Sequence, residues 1–362
     1  MHLNKIYLAW QIAWFVIEWV YENMRLVRIA CKEVGKDLYG YKVAIAFPLE
    51  YKTAVLIKEL SNYCDIMVTP FSLGTTKAKA VEWLKENGIK VYDIDDALKA
   101  DYYLDCAATL IKRASDKGLL DDVKGVIELT RSGVDILRTI SVRKAIVVDD
   151  SVVKGIGENT YGTGIGLLDG LLRLNINLIG KTVVIVGFGR VGRGCAHVLR
   201  NFCRVIVVEI DPVKAMEAVY MGYEVMELDK ALRLADIVVT CTGRKGVISS
   251  ESFEYVKNGC ILCNMGAFRD EIDLESLEKD GWKVEDFGFV KKFQKGDKFF
   301  YIVADGEAVN LALGNGTPIE IMDRTFTTVV YALQYLITHD FSGIVPLPRE
   351  IDVKVARLIL KT

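Results

Sequence analysis

The most pointed chemistry in the chain lies where a β-branched run, Thr182-Val-Val-Ile-Val186, passes directly into Gly187-Phe-Gly189-Arg-Val-Gly192-Arg-Gly194, with a helical stretch following. In such a turn Gly187 makes the tight bend, Gly189 lets backbone N–H groups approach a pyrophosphate, and Gly192 lets the helix lie close on the strand. Arg190 and Val191 occupy the first helical turn and join these glycines in the expected cofactor-binding set. Arg190 and Arg193 either contact the diphosphate or remain solvated. Glu209 ends the next predicted strand, 22 residues after Gly187. A carboxylate there accepts hydrogen bonds from both ribose hydroxyls and repels a 2′-phosphate, which points to NAD rather than NADP. A dinucleotide turn says nothing by itself about the reaction.

A turn of this kind needs an open sheet to hold it. From Thr182 the pattern alternates strands (Thr182–Val186, Arg204–Glu209, Glu224–Met226, Asp236–Cys241, Cys260–Asn264) with helical stretches, and adds β-rich runs at Trp282–Glu285 and Lys298–Ala304. An earlier series (Lys42–Phe47, Cys64–Thr69, Lys90–Tyr92, Tyr102–Leu104, Lys124–Leu129, Lys144–Val148) alternates in the same way. Both series predict parallel sheets with helices on both faces, so the expected fold class is α/β with two doubly wound domains, the second a Rossmann dinucleotide-binding domain. The expected division is 1–157 plus 318–362 for the substrate-type domain and 158–317 for the NAD-binding domain. Val148–Gly166, rich in glycine, is expected to be irregular until Leu167–Leu174 resumes a helical pattern. Helices are expected at Thr325–Thr338 and near Asp352–Leu360.

The 362 residues carry 46 Lys+Arg against 48 Asp+Glu, a net charge of −2, and 51% of them are hydrophobic. That is enough for two buried cores, and it offers no basic footprint for nucleic acid. Eight dispersed cysteines do not form a secreted disulfide scaffold, and no leader pattern opens the chain, so a cytoplasmic protein is expected. The stretch Ile6–Val20 is too short to span a bilayer and is broken by Gln11 and Glu18, so an aromatic helix packed on the body or on a second subunit is expected instead. Cys260-x-x-Cys263 lies on a predicted buried strand without a second ligand pair, which reads as core packing, and no metal is expected. Lys291–Lys298 reads as a solvated turn.

The cofactor half resembles the S-adenosylhomocysteine hydrolase family over Gly180–Cys195, Glu209-Ile-Asp-Pro212, Gly222-Tyr-Glu-Val225, Val239-Thr-Cys-Thr-Gly243, Cys263-Asn-Met-Gly266 and Glu271-Ile-Asp273. Outside it, Thr53-Ala-Val-Leu56, Asp150-Ser-Val-Val-Lys154, Asn159-Thr-Tyr-Gly162, Asn310-Leu311 and Leu347-Pro-Arg-Glu-Ile-Asp352 also resemble family segments. The resemblance implies a tightly bound NAD that oxidises the ribose 3′-hydroxyl, acidifies the 4′ proton so that homocysteine leaves from C5′, and reduces the ketone after water adds. It implies that Lys154 stands beside the reacting ribose, that Glu158 replaces an aspartate touching the ribose hydroxyls, and that Asn159 lies near the nicotinamide. Thr130, Thr242, Gly243, Gly266 and Asn310 would be further cofactor contacts. Read without the resemblance, Lys154 is a solvated charge, Thr130 a helix N-cap and Asn310 a turn former.

The resemblance is uneven. None of the three histidines, His2, His197 and His339, falls at a catalytic position of the family; Pro48, Ala267 and Thr317 stand there, which removes the side chains whose protons exchange near neutrality. In the substrate half Glu50, Gly74, Cys106 (beside Asp105) and Leu129 (beside Glu128) take the places of family contacts. The chain stops at Thr362, short of a family extension that reaches a neighbouring subunit's NAD, so looser cofactor binding is expected. The expected function is an NAD-dependent, adenosylhomocysteinase-like hydrolase acting on S-adenosylhomocysteine or a related small hydroxylated substrate, as a homo-oligomer. The alternatives are a non-catalytic NAD-binding paralogue and a dehydrogenase with exchangeable NAD.

Overall fold

The computed structural model describes residues 16–361. Of the aromatic stretch Ile6–Val20, residues 6–15 lie outside the described residues, and Ile17 and Val20 are buried. The described residues divide into two compact units, one running to Gly157 and resuming at Ile319, the other spanning Glu158–Pro318.

The first unit is built on six strands: β1 (Lys42–Ala46), β2 (Asp65–Val68), β3 (Tyr102–Asp105), β4 (Gly125–Glu128), β5 (Lys144–Val147) and, last in the chain, β14 (Gly343–Pro346). They lie in the order β14-β5-β4-β3-β1-β2, all parallel. The expected strand at Lys90–Tyr92 is reduced to a single bridge between Val68 and Val91, while β14, a run of four residues ending in proline, adds to the expected strands. One face is covered by the helix Ile319–Thr338, which buries Phe326, Val329, Val330, Leu333 and Leu336 at helical spacing and stacks Phe326 on Phe47 at 6.0 Å. Each such side chain contributes about 1.5–3 kcal/mol on leaving water. Asp323 of that helix accepts from the amides of Leu26 and Val27 (2.9 and 2.8 Å), capping the helix Arg25–Leu38 from the far end of the sequence.

The second unit has eight strands: β6 (Thr182–Val186), β7 (Arg204–Val208), β8 (Glu224–Val225), β9 (Ile237–Thr240), β10 (Ile261–Asn264), β11 (Lys283–Asp286), β12 (Val290–Lys295) and β13 (Lys298–Val303). Their order is β11-β12-β13-β10-β9-β6-β7-β8. From β13 to β8 the pairing is parallel; β11, β12 and β13 form an antiparallel edge. Lys291–Lys298 is therefore part of a hairpin and not a solvated turn, with Phe293 stacked on Phe300 at 6.1 Å across the strands. Gly296, with φ +60°, sits in its two-residue turn.

Residues 148–166 are likewise regular: a 3₁₀ turn (Val148–Asp150), a helix (Val152–Ile156), a π-helical turn (Gly157–Gly162) and a helix (Thr163–Arg173). Glycines there serve contact and not flexibility. A Cβ on Gly164 would strike the carbonyl of Gly194, and one on Gly166 would stand 2.9 Å from Asn310 and from the Gly316 carbonyl.

At the C-terminal ends of β3 and β4, Asp105 and Glu128 face each other in register and are fully buried. Asp105 accepts from the amides of Cys106, Leu110 and Ile111; Glu128 accepts from those of Ala107, Ala108 and Thr130 and from the Thr130 hydroxyl. These bonds hold Ala107 and Ala108 at φ +55° and +56°, a conformation costing about 1–2 kcal/mol per residue. Burial raises both carboxyl pKa values, and the charge of Asp105 adds to the rise at Glu128. A raised carboxyl is harder to ionise folded than unfolded, so its stabilising share is present in acid and is lost as pH climbs through the raised values. Urea titrations should show the midpoint falling from about pH 4.5 upward. Glu128→Gln should flatten that slope and cost about 1–3 kcal/mol, because its amide nitrogen faces N–H donors; an unchanged slope contradicts the assignment.

Candidate active site

β6 is buried along most of its length, and it lies between β7 and β9, where the strand order reverses. Ligands of open α/β sheets bind at such a point, outside the carboxyl ends of the strands. Gly187 leaves β6 at φ +95°, donating its amide to the Val208 carbonyl at 2.8 Å. A Cβ on Gly192 would strike the Gly187 carbonyl, and a Cβ on Gly194 the carbonyl of Thr160. Both glycines let the helix Arg190–Leu199 press onto its neighbours.

Gly189 is different in kind. Its φ of −72° suits any residue, and a Cβ there would meet no atom of the chain within 4 Å. Nothing inside the protein requires this glycine; bare backbone here suits a group approaching from outside. Gly189 is also the N-cap of the helix and contributes no side chain to bind its first N–H groups, which leaves the positive end of the helix open to an anion. Glu209 is pinned beside it, accepting from the amides of Phe188 (2.6 Å), Ile210 (2.8 Å) and Asp211 (2.9 Å). A carboxylate offers about four acceptor positions, so a ribose hydroxyl can still be received. These residues fit a dinucleotide. Arg190 is exposed and Val191 half-buried, while Arg193 is committed to Glu217 at 2.8 Å.

Thr242 and Gly243 follow β9, and Gly266 follows β10. Two residues to which sequence reasoning assigns no role organise them. Buried Glu271 accepts from the amides of Thr242 and Gly243 and from the Thr242 hydroxyl (2.7–2.9 Å), and burial raises its pKa. Buried Asn264 accepts from Thr240 Oγ1 and the Gly266 amide while donating to the carbonyls of Phe268 and Gly306. Their only signal in the sequence is membership of segments resembling the family. Asn310 is buried on the short helix Val309–Ala312, against Gly166.

In the first unit Lys154 is 2% exposed, so the reading of a solvated charge fails. Its Nζ stands 3.6 Å from Oδ1 of Asp149, itself 6% exposed. Two buried groups of opposite sign thus lie within ion-pair distance of each other. Glu158 and buried Asn159 lie on the π-helical turn that follows in sequence; such turns concentrate at functional sites. Thr130 caps the helix Arg131–Leu137, its hydroxyl accepting from the Gly133 and Ala107 amides while donating to Glu128. The structure thus accounts for Thr130 as the N-cap. Asp105 and Glu128, neighbours of the diverged Cys106 and Leu129, have their carboxyl oxygens taken up by backbone amides.

The two described histidines lie on the surface, His197 edge-on to Tyr161 and His339 stacked on Tyr335. Cys260 and Cys263 are buried free thiols in the core, and among the described residues no cluster of His, Cys, Asp or Glu is arranged to hold a metal. No helix among them is long and apolar enough to cross a membrane.

Residues 159–316 match the family described as "S-adenosyl-L-homocysteine hydrolase, NAD binding domain". The chain is 36% identical to an S-inosyl-L-homocysteine hydrolase of Methanopyrus kandleri, over 96% of this chain and 89% of that one. It is 33% identical to an adenosylhomocysteinase of Archaeoglobus fulgidus, over 96% and 93%. Among solved structures, a dipicolinate synthase chain from Bacillus halodurans shares the fold, with a TM-score of 0.50 and 15% identity over 81% of this chain and 99% of that one.

Gly189→Ala separates ligand from fold. The thermal midpoint of NAD-free protein should stay within about a degree of the parent, and NAD affinity should fall about tenfold or more, a loss of at least about 1.4 kcal/mol. Gly192→Ala should lower both. An unaltered affinity in Gly189→Ala would remove the turn from the NAD site.

Proposed function

The chain belongs to the S-adenosylhomocysteine hydrolase family and is an NAD-dependent enzyme of the hydrolase type, and from that premise we propose that it cleaves S-adenosyl- or S-inosyl-homocysteine to the nucleoside and homocysteine. The relatives' names supply both nucleosides, and the thioether and ribose common to them define the substrate class. Bound NAD⁺ supplies transient oxidation of the ribose 3′-hydroxyl, which makes the 4′ proton removable and lets homocysteine leave from C5′ before water adds.

The chain's own residues have three tasks. The turn at Gly187–Gly192 holds the diphosphate on backbone N–H groups, and Glu209 receives the adenosine ribose of the cofactor. Glu271 and Asn264 keep the loops after β9 and β10 in the shape that Thr242, Gly243 and Gly266 need against the cofactor. Lys154 holds the substrate ribose and carries protons at Nζ, with Asp149 fixing the ammonium. Ala267 and Thr317 stand where the family has histidines, and the burial of Lys154 against Asp149 carries the reading. The family resemblance gives Glu158 the ribose hydroxyls and Asn159 the nicotinamide. The eight free cysteines support a reducing compartment such as the cytosol, and we expect a homo-oligomer.

The test is thiol release. Purified protein should carry NAD, liberated by acid, and should release free thiol from S-adenosyl- or S-inosyl-homocysteine. Lys154→Ala should lower kcat by about a thousandfold or more with NAD content retained, the scale seen when a group acting on the reacting atoms is removed. NAD-loaded protein that releases no thiol from either compound rejects the proposal in favour of a non-hydrolytic NAD protein.

A further inference from the structure

The segment Leu347–Asp352 resembles the family yet has no part in the chemistry so far. Its last residue makes three long-range hydrogen bonds. Asp352, in the first turn of the helix Arg349–Ile359, accepts from the Ser151 hydroxyl on Oδ1 (2.6 Å), from the Val152 amide on Oδ2 (2.8 Å) and from the Val153 amide on Oδ1 (3.3 Å). Ser151, wholly buried, in turn accepts from the amide of Lys154 at 3.0 Å. An unbroken line of hydrogen bonds therefore runs from the carboxylate of Asp352 through Ser151 Oγ to the backbone of Lys154.

Building on the proposed function, we propose that Asp352 is a positioning residue for the reaction, acting through Ser151 and the Val152 and Val153 amides to set where the Lys154 ammonium stands. The helix Val152–Ile156 has five residues, far below the length at which a helix holds itself. Its placement must come from tertiary bonds, and Asp352 supplies three of them. The bond from Ser151 is charge-assisted and short, which fixes direction as well as distance. Asp149 restrains Lys154 at the tip of its side chain and Asp352 restrains it at the root. Between those two anchors the four-carbon stem has little freedom to swing. A displacement of about 1 Å at a reacting group costs on the order of a hundredfold in rate.

The experiment uses NAD-loaded full-length protein. Asp352→Ala and, separately, Ser151→Ala should lower kcat per NAD-loaded site by about a hundredfold while KM stays within about threefold. Ser151→Thr, which keeps the hydroxyl, should recover most of the loss. A merely structural role would instead reduce the fraction of loaded protein and leave kcat per loaded site at the parent value, and that result overturns the inference. If the parent releases no thiol, it is the functional reading that has failed. Positioning is then read from hydrogen exchange at the amides of residues 152–154. Asp352→Ala must speed exchange there by about tenfold or more without changing it in β4 and β5, and unaltered protection overturns the inference.

Discussion

The structure of the second unit turns on how closely one helix can approach its neighbours. The helix Arg190–Leu199 lies against the Gly187 carbonyl at one point and the Thr160 carbonyl at another, and side chains at positions 192 and 194 would occupy the space those oxygens fill. One consequence falls at the turn itself: the helix starts immediately after Gly189. The other faces the π-helical turn, whose Thr160 carbonyl is met by the same helix at Gly194. Two segments well separated in sequence are thus packed backbone against backbone, and a methyl group in either place would force them apart.

The same helix shows why some of the site is legible in sequence and some is not. The dinucleotide turn is a local device: strand, bend, helix start and acceptor follow one another between Thr182 and Glu209, so spacing reveals them. Composition misreads the glycines of 157–166 because glycine has two uses that it cannot separate, turning the chain and letting backbones touch. Gly164 and Gly166 are of the second sort, and what they touch, Gly194 and Gly316, is remote. The hairpin around Lys291–Lys298 is hidden for a related reason: its lysines mask the alternation that Phe293 and Phe300 establish. Lys154 is the sharpest case. Taken alone it reads as a solvated charge; its burial depends on Asp149, in the preceding 3₁₀ turn, and on a segment fixed from residue 352.

Buried acids recur throughout with one pattern. Asp105, Glu128, Glu271 and Asp323 each accept from two or more backbone amides, and Glu271 adds the Thr242 hydroxyl. For all four, burial raises the pKa. Amide donors are fixed in the backbone, so a carboxylate that gathers them ties loops to strands with directional bonds that a charged side chain on a flexible stem could not supply. The pairing of Lys154 with Asp149 departs from that pattern, joining a basic group on a four-carbon stem to an acid at 3.6 Å.

The amide-bound acids serve as clamps, whereas Lys154 and Asp149 pair by charge. A carboxylate bound by several amides has little to give a substrate, and removing it is felt as lost structure. The pair of Lys154 and Asp149 sits instead on a five-residue helix and the 3₁₀ turn before it, whose position depends on bonds from elsewhere in the chain. The contrast between Gly189 and Gly192 repeats the distinction in the backbone. Two glycines of one motif, three residues apart, have unrelated reasons to be there: the second is demanded by a carbonyl of the chain itself, the first by nothing in the chain. Gly189, at the open end of a helix beside a pinned carboxylate, is a glycine that the chain's own packing does not demand, and its bare backbone leaves room for a ligand.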